Sequence, residues 1–350
     1  MKQMIKIPWT NLMAVAAVII ANTLIVVKNL EANGSYQLLN VSYDPTRELY
    51  RNLNEQFGAK YERSTGKVIR IGQSHGGSSR QAQSVIDGRQ PADVVTLGLY
   101  SDIDTLRKRG LIAEGWSKRL PHNSQPYTST IVFLVRKGNP KHIHDWPDLI
   151  RPGVSIITPD PRSSGNGKLS ALAAWGAALR RGASEEEARS YLKQFYQHIP
   201  VLDVGARSAA ATFAVEKIGD VHLTWENEAL REVAESKGDF DIVYPPVSIL
   251  AEPFVAWVDA NVARNKSEAL AKAYLEFLFT NEAQETMAKL GYRPINAEIL
   301  RKYSNLFPQL DLFPISFIAR DWDDAQQKFF ASNGVIDVVY KPAPKRTALE

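Results

Sequence analysis

The chain has 350 residues, 44% apolar and 23% charged, with a formal net charge of +4. That length can bury a core large enough for two domains, and basic and acidic residues interspersed along it read as a solvated surface rather than a nucleic-acid-binding stripe. With no cysteine, disulfides, zinc–thiolate sites, iron–sulfur clusters, thiol catalysis and a lipoprotein anchor are excluded.

Lys2 and Lys6 precede an apolar run over 12–27, and Lys28 follows it. A basic flank and an apolar stretch of this length read as an export signal over 1–33, either cleaved or kept as an anchor. Both readings send the chain from about Gly34 onward out of the cytoplasm. From Tyr36 strand and helix patterns alternate. "YQLLNVSY" is a short apolar strand, and the next segment sets Leu49, Tyr50, Leu53 and Phe57 at helical spacing behind Asp44 as N-cap and Pro45 at the first helical position. "KVIRIGQS" is a second strand, leading to a helix that opens at Ser78 with Gln81 three residues on, the spacing of a capping box. "ADVVTLG" and "SDIDTLRKRG" repeat the unit. Strands alternating with helices predict an α/β fold of doubly wound, mostly parallel sheets.

Two long β-rich runs, "YTSTIVFLVRKGNP" and "SILAEPFVAWVD", bracket an inner block of strands and helices. A chain that crosses between two α/β lobes and returns would look this way. The expected division is lobe one over 36–128 plus about 245–340, with the C-terminal helices, lobe two over 129–244, and an unstructured tail over 341–350. "SEALAKAYLEFLFTNEAQETMAKLGYRPIN" reads as two amphipathic helices and a loop, followed by an aromatic-rich segment packed on one lobe.

No enzyme signature accompanies this architecture: no G-x-S-x-G, H-E-x-x-H or G-x-G-x-x-G is present, and Gly167-Lys168 fails as a P-loop because Arg162 and Leu169 stand where Gly and Ser/Thr are needed. His142 and His144 lack a third metal ligand and read as exposed loop. What recurs is a junction in which a strand ends in a small-residue or capped turn that opens a helix: "VSYDPTREL", "IGQSHGGSSRQ", "TPDPRSSGNGK" and "LDVGARSAAATF". Such turns lie at the carboxyl ends of parallel strands, where helix N-termini present free N–H groups and ligands bind. One such turn is ordinary capping; four point to a small anion held between the lobes.

These strings, with "PYTSTIVFLVRKGNPKHIHDWPDLIRPGVSIITPDPRSSG" and "WENEAL" followed by "SILAEP", closely resemble the periplasmic sulfate-binding proteins of bacterial ABC importers, from about Gln37 to about Tyr340. The resemblance implies a two-lobed periplasmic binding protein of type II with no enzymatic activity, no cofactor and no metal. It implies a monomer that holds dehydrated sulfate through neutral donors and passes it to membrane subunits of the importer. Those donors fall on the N–H of Asp44, on Ser78, on Ser164 with the N–H groups of Gly165 and Asn166, on the N–H of Ala206, and on the indole of Trp225. His75 and Arg207 lie beside them, as loop-orienting groups or as attraction for the anion. On periodicity alone Trp225 is equally a core residue. The Asp44 carboxylate is expected to cap its own helix while its N–H faces the ligand.

The chain departs from the family where Asn166-Gly167-Lys168 stand in place of Gly-Ala-Arg. If the replaced glycine needs positive φ, asparagine is among the few residues that tolerate it, and Gly167 would add freedom to the first helical turn. Thiosulfate is the same-class alternative ligand. Molybdate or tungstate, a sulfate-ester enzyme and a membrane-anchored sensor are more distant readings.

Overall fold

The computed structural model describes residues 37–340. The expected export segment and the expected tail over 341–350 lie outside the described residues. Among the described residues no helix is long and apolar enough to cross a membrane.

In chain order the strands are β1 (Leu38–Tyr43), β2 (Ile71–Gly76), β3 (Val94–Leu97), β4 (Tyr127–Thr128), β5 (Ile131–Arg136), β6 (Ile156–Pro159) and β7 (Leu202–Asp203). They continue as β8 (Val221–Trp225), β9 (Phe240–Val243), β10 (Val247–Ile249), β11 (Phe254–Trp257), β12 (Arg293–Pro294) and β13 (Asp311–Phe313). The helices that matter for the site are α1 (Arg47–Thr65), α2 (Ser78–Ile86), α3 (Tyr100–Lys108), α4 (Gly165–Arg180), α5 (Glu185–Gln197), α6 (Ala206–Ala214) and α7 (Glu226–Glu235).

The first sheet has the order β11-β3-β1-β2 and the second β7-β6-β8-β5-β9. β1 runs parallel to β2 and β3, and β6 parallel to β7 and β8. The antiparallel members are β11 against β3 and β5 against β8 and β9. Both come from the two long β-rich runs, which each divide between elements instead of forming one strand. Where the runs pass each other, Ser129 and Ala251 exchange two backbone hydrogen bonds of 2.9 Å. Both faces of each sheet are covered: Leu38 of β1 packs with Leu49, Leu53 and Phe57 of α1, while Val41 packs with Ala82 and Val85 of α2. Along β5, Phe133 and Val135 face one core and Val132 and Leu134 the other, the period-2 alternation of a strand buried on two sides.

The C-terminal segment corrects the sequence expectation that placed it with the first lobe. Phe313, Trp322, Phe329 and Val339 share a core with Trp175 of α4, Phe195 of α5 and the inner strands of the second sheet. The cause is α4, which is apolar all round ("LSALAAWGAAL") and so needs cover on the side the sheet leaves bare. Phe329 meets Trp175 edge-on at 5.2 Å, and β13 pairs with β10. Phe313 lies so close to α4 that a Cβ on Gly176 would stand 2.1 Å from its ring. Gly176→Ala is therefore expected to destabilise the protein by about 1–3 kcal/mol through forced repacking; an unchanged urea midpoint would show that the segment is not pinned there.

Candidate functional site

The four junctions singled out in the sequence do end strands and open helices. β1 leads into a 3-10 turn over Asp44–Thr46, β2 into α2, β6 into α4 and β7 into α6. None of these four starts is capped by its own side chain, which is also true of the starts at Tyr100, Glu226, Asp259 and Glu268, whereas Ser184, Thr280 and Asn296 cap theirs. The capping box expected at Ser78 and Gln81 does not form. Gly77 is the N-cap, and the Gln81 amide instead donates to the Ser42 carbonyl at 3.0 Å. Ser78 Oγ accepts the Gly98 N–H at 3.0 Å, which leaves its own proton to donate elsewhere. The expected cap at Asp44 is absent too: its carboxylate accepts from Arg47 at 2.9 Å.

Turns from the two sheets meet at glycines. A Cβ on Gly77 would lie 2.4 Å from the Ser163 carbonyl oxygen, and one on Gly205 would lie 2.6 Å from Asp44 Oδ2, so no larger residue lets these turns approach as they do. A Cβ on Gly165 would lie 3.3 Å from the Cβ of Ser78. Asp44, Ser78, Ser164, Gly165, Asn166, Ala206 and Trp225 are all buried. Among the described residues no acceptor faces the N–H of Gly165, Asn166 or Ala206. Trp225 is 0% exposed, and its indole N–H has no partner. A buried donor left unpaired costs about 1–3 kcal/mol; Trp225 lies at the end of β8 against the Tyr43 ring, and among the described residues the Trp175 indole N–H is unpartnered as well.

The departure in the α4 loop resolves differently from the sequence expectation. Asn166 does not take positive φ. It lies in the first turn of α4, with its side-chain amide donating to the Leu223 carbonyl of β8 at 3.0 Å. Gly167 is required by close approach rather than adding freedom, since its Cβ would lie 2.3 Å from the Pro159 oxygen.

Two of the cations nearby are matched. Arg207 pairs with Glu48 of α1 and, at 2.8 Å, with the buried Glu228 of α7. Burial pushes the Glu228 carboxyl up, against the pull of Arg207 and Arg231. Lys168, in the first turn of α4, reaches Asp102 of α3 at 3.4 Å, both side chains being buried. Sequence reasoning missed Asp102, Glu48 and Glu228, which lie far from their partners along the chain. The available signal was a lysine at the start of a buried helix, where both burial and the helix dipole oppose it and a carboxylate must compensate. His142 and His144 sit exposed in a loop.

His75 lines a cleft of about 630 Å³ with Asp44, Arg47, Arg80, Gln81 and Val204, beside the turns. Burial lowers its pKa to about 4, so the ring is neutral at pH 7. Because the unfolded ring titrates near 6.5, protons favour the unfolded state below that pH. The stability held above pH 6.5 is then lost progressively as pH falls through about 4. His75→Gln is expected to flatten the fall in melting temperature between pH 7 and pH 4.5; equal falls in both proteins would contradict this.

A family model described as bacterial extracellular solute-binding protein matches residues 39–293. The chain is 50% identical over 325 residues to a sulfate-binding protein of Salmonella typhimurium, covering 92% of this chain and 97% of that one. It is 45% identical over 313 residues to a thiosulfate-binding protein of Pseudomonas aeruginosa, covering 89% and 94% respectively. Among solved structures, the sulfate-binding protein SubI of Mycobacterium tuberculosis superposes with a TM-score of 0.77 at 29% identity, covering 84% of this chain and 99% of that one.

Proposed function

The chain belongs to the bacterial extracellular solute-binding protein family, and from that premise we propose that it is an extracytoplasmic receptor that binds sulfate between two lobes and delivers it to a membrane ABC importer. One lobe is built on the first sheet, and the other on the second sheet together with the C-terminal segment. They are joined at the Ser129–Ala251 crossing. The observation that carries the ligand reading is the buried, unpartnered indole N–H of Trp225, at the end of β8 and against Tyr43 at the end of β1.

The ligand chemistry follows from what the site offers. Backbone N–H groups of Asp44, Gly165, Asn166 and Ala206, the hydroxyls of Ser78 and Ser164, and the Trp225 indole are neutral donors. Charge-assisted bonds from such donors contribute on the order of 1.5–3 kcal/mol each. Neutral donors suffice because the partial charges at several helix N-termini face one dianion, while Arg207 and Lys168 are held by carboxylates. Sulfate is fully ionised at neutral pH and only accepts. Hydrogen phosphate carries a proton that would go unpaired among donors, at a cost of about 1–3 kcal/mol or more. Preference for sulfate thus arises from the lack of an acceptor. Thiosulfate keeps the charge and tetrahedral shape, and the 45% identity to a thiosulfate-binding relative favours it as a second ligand.

Isothermal titration of dialysed protein with sulfate, thiosulfate, molybdate and phosphate is expected to give tight 1:1 binding of sulfate and no heat from phosphate. Trp225→Phe should fold normally and bind sulfate about tenfold or more weakly, the equivalent of one lost charge-assisted bond. Sulfate affinity unchanged in that variant would remove the indole from the site. Gly77→Ala should weaken sulfate binding without a comparable loss of stability, because it separates the turns of the two sheets where they touch.

A further inference from the structure

We propose that Tyr43 positions the Trp225 indole for the anion, and that Tyr127, on the short strand β4 that leads toward the second sheet, sets the Tyr43 ring through its hydroxyl. This rests on the reading that the indole N–H faces the ligand. Because that N–H has no partner among the described residues, no hydrogen bond from the protein fixes how the ring is turned, and packing alone must do so. Two groups from the first sheet's side lie against the indole. One is the backbone of Gly98, where a Cβ would lie 3.4 Å from both the Trp225 and the Tyr43 rings. The other is the Tyr43 ring, whose centroid is 5.2 Å away at a 50° tilt.

Tyr43 comes from the first sheet and Trp225 from the second, so this contact crosses between them. Tyr43 is in turn fixed at its far end by a 3.2 Å hydroxyl–hydroxyl bond to Tyr127. Burial pushes both phenols well above their ordinary pKa of 10, which keeps the protons on this bond. Tyr127 packs edge-on against Tyr292 at 4.9 Å, and the Tyr292 hydroxyl donates to the Pro45 carbonyl at 2.7 Å. The bracket therefore starts at Trp225, passes through the strand preceding the Ser129–Ala251 crossing, and returns to the Asp44–Pro45 turn. It holds a donor from each sheet in one arrangement. A shift of the crossing strand relative to either sheet would turn the indole, which ties ligand affinity to how the two sheets are placed at the crossing.

The test uses protein labelled with 15N on the tryptophan indole, with the Trp225 resonance assigned by its loss in Trp225→Phe. In the unaltered protein, sulfate is expected to move that resonance. Tyr43→Leu, which removes the ring, should weaken sulfate binding about three- to tenfold and shrink the sulfate-induced shift of the Trp225 resonance. Tyr43→Phe, which keeps the ring, should retain most of both. Tyr127→Phe should displace the Trp225 resonance of the ligand-free protein. If Tyr43→Leu does not fold, Tyr43→Met supplies the same comparison. Sulfate affinity and indole shift unchanged in the ring-less variant would overturn the role of Tyr43, and an undisplaced Trp225 resonance in Tyr127→Phe would overturn that of Tyr127. A Trp225 resonance insensitive to sulfate in the unaltered protein, with binding intact by calorimetry, would instead place the ligand away from the indole and overturn both this inference and the site it rests on.

Discussion

Backbone N–H groups without partners at the starts of helices are the constraint around which this molecule is arranged. A helix start leaves such groups open, and most proteins close them with a side chain or water. Here the starts at Asp44, Ser78, Gly165 and Ala206 are left uncapped by their own side chains and are brought together from two sheets. The approach is possible only because Gly77 and Gly205 carry no Cβ where the opposing turns arrive. Parallel strands supply the common direction: every strand of a parallel set delivers its following helix start to the same edge.

Charge is handled separately from binding. Lys168 with Asp102, Arg207 with Glu48 and Glu228, and Arg293 with Glu226 form ion pairs around the junction of the sheets, each with at least one deeply buried carboxylate. Removing one partner from such a pair strands a buried charge, so these groups are bound to one another more firmly than to any passing solute. On the proposed reading, an anion is then met by neutral dipoles. Dipoles held by the fold need no reorganisation, and on the proposed reading the lack of an acceptor among them would separate a fully ionised tetrahedral anion from one that still carries a proton.

Much of this was readable in the chain. The apolar alternation of β5 and the helical spacing of Leu49, Leu53 and Phe57 announce their elements, and the Ser- and Gly-rich turns stand out because they recur at strand ends. The side-chain partners were not readable. Asp44 and Gln81 look like helix caps, yet the Asp44 carboxylate is taken by Arg47 three residues on and the Gln81 amide by the distant Ser42 carbonyl. Asn166 and Gly167 look like loop residues chosen for backbone freedom. The bond from Asn166 to Leu223 depends on a strand distant in sequence, and the room Gly167 leaves for Pro159 on how tightly the turn folds back on the strand before it.

The sequence by itself determined the α/β class, the positions of the helix starts and the residue types that can donate there, because periodicity, turn chemistry and hydrogen-bonding capacity are local properties. The tertiary structure decided which turns approach one another, that the C-terminal segment covers α4 rather than the first sheet, and that Tyr43 lies against Trp225. These are contacts between residues separated by many tens of positions, and they follow from which apolar surfaces remain uncovered once the sheets have formed, a quantity that no local stretch of sequence contains.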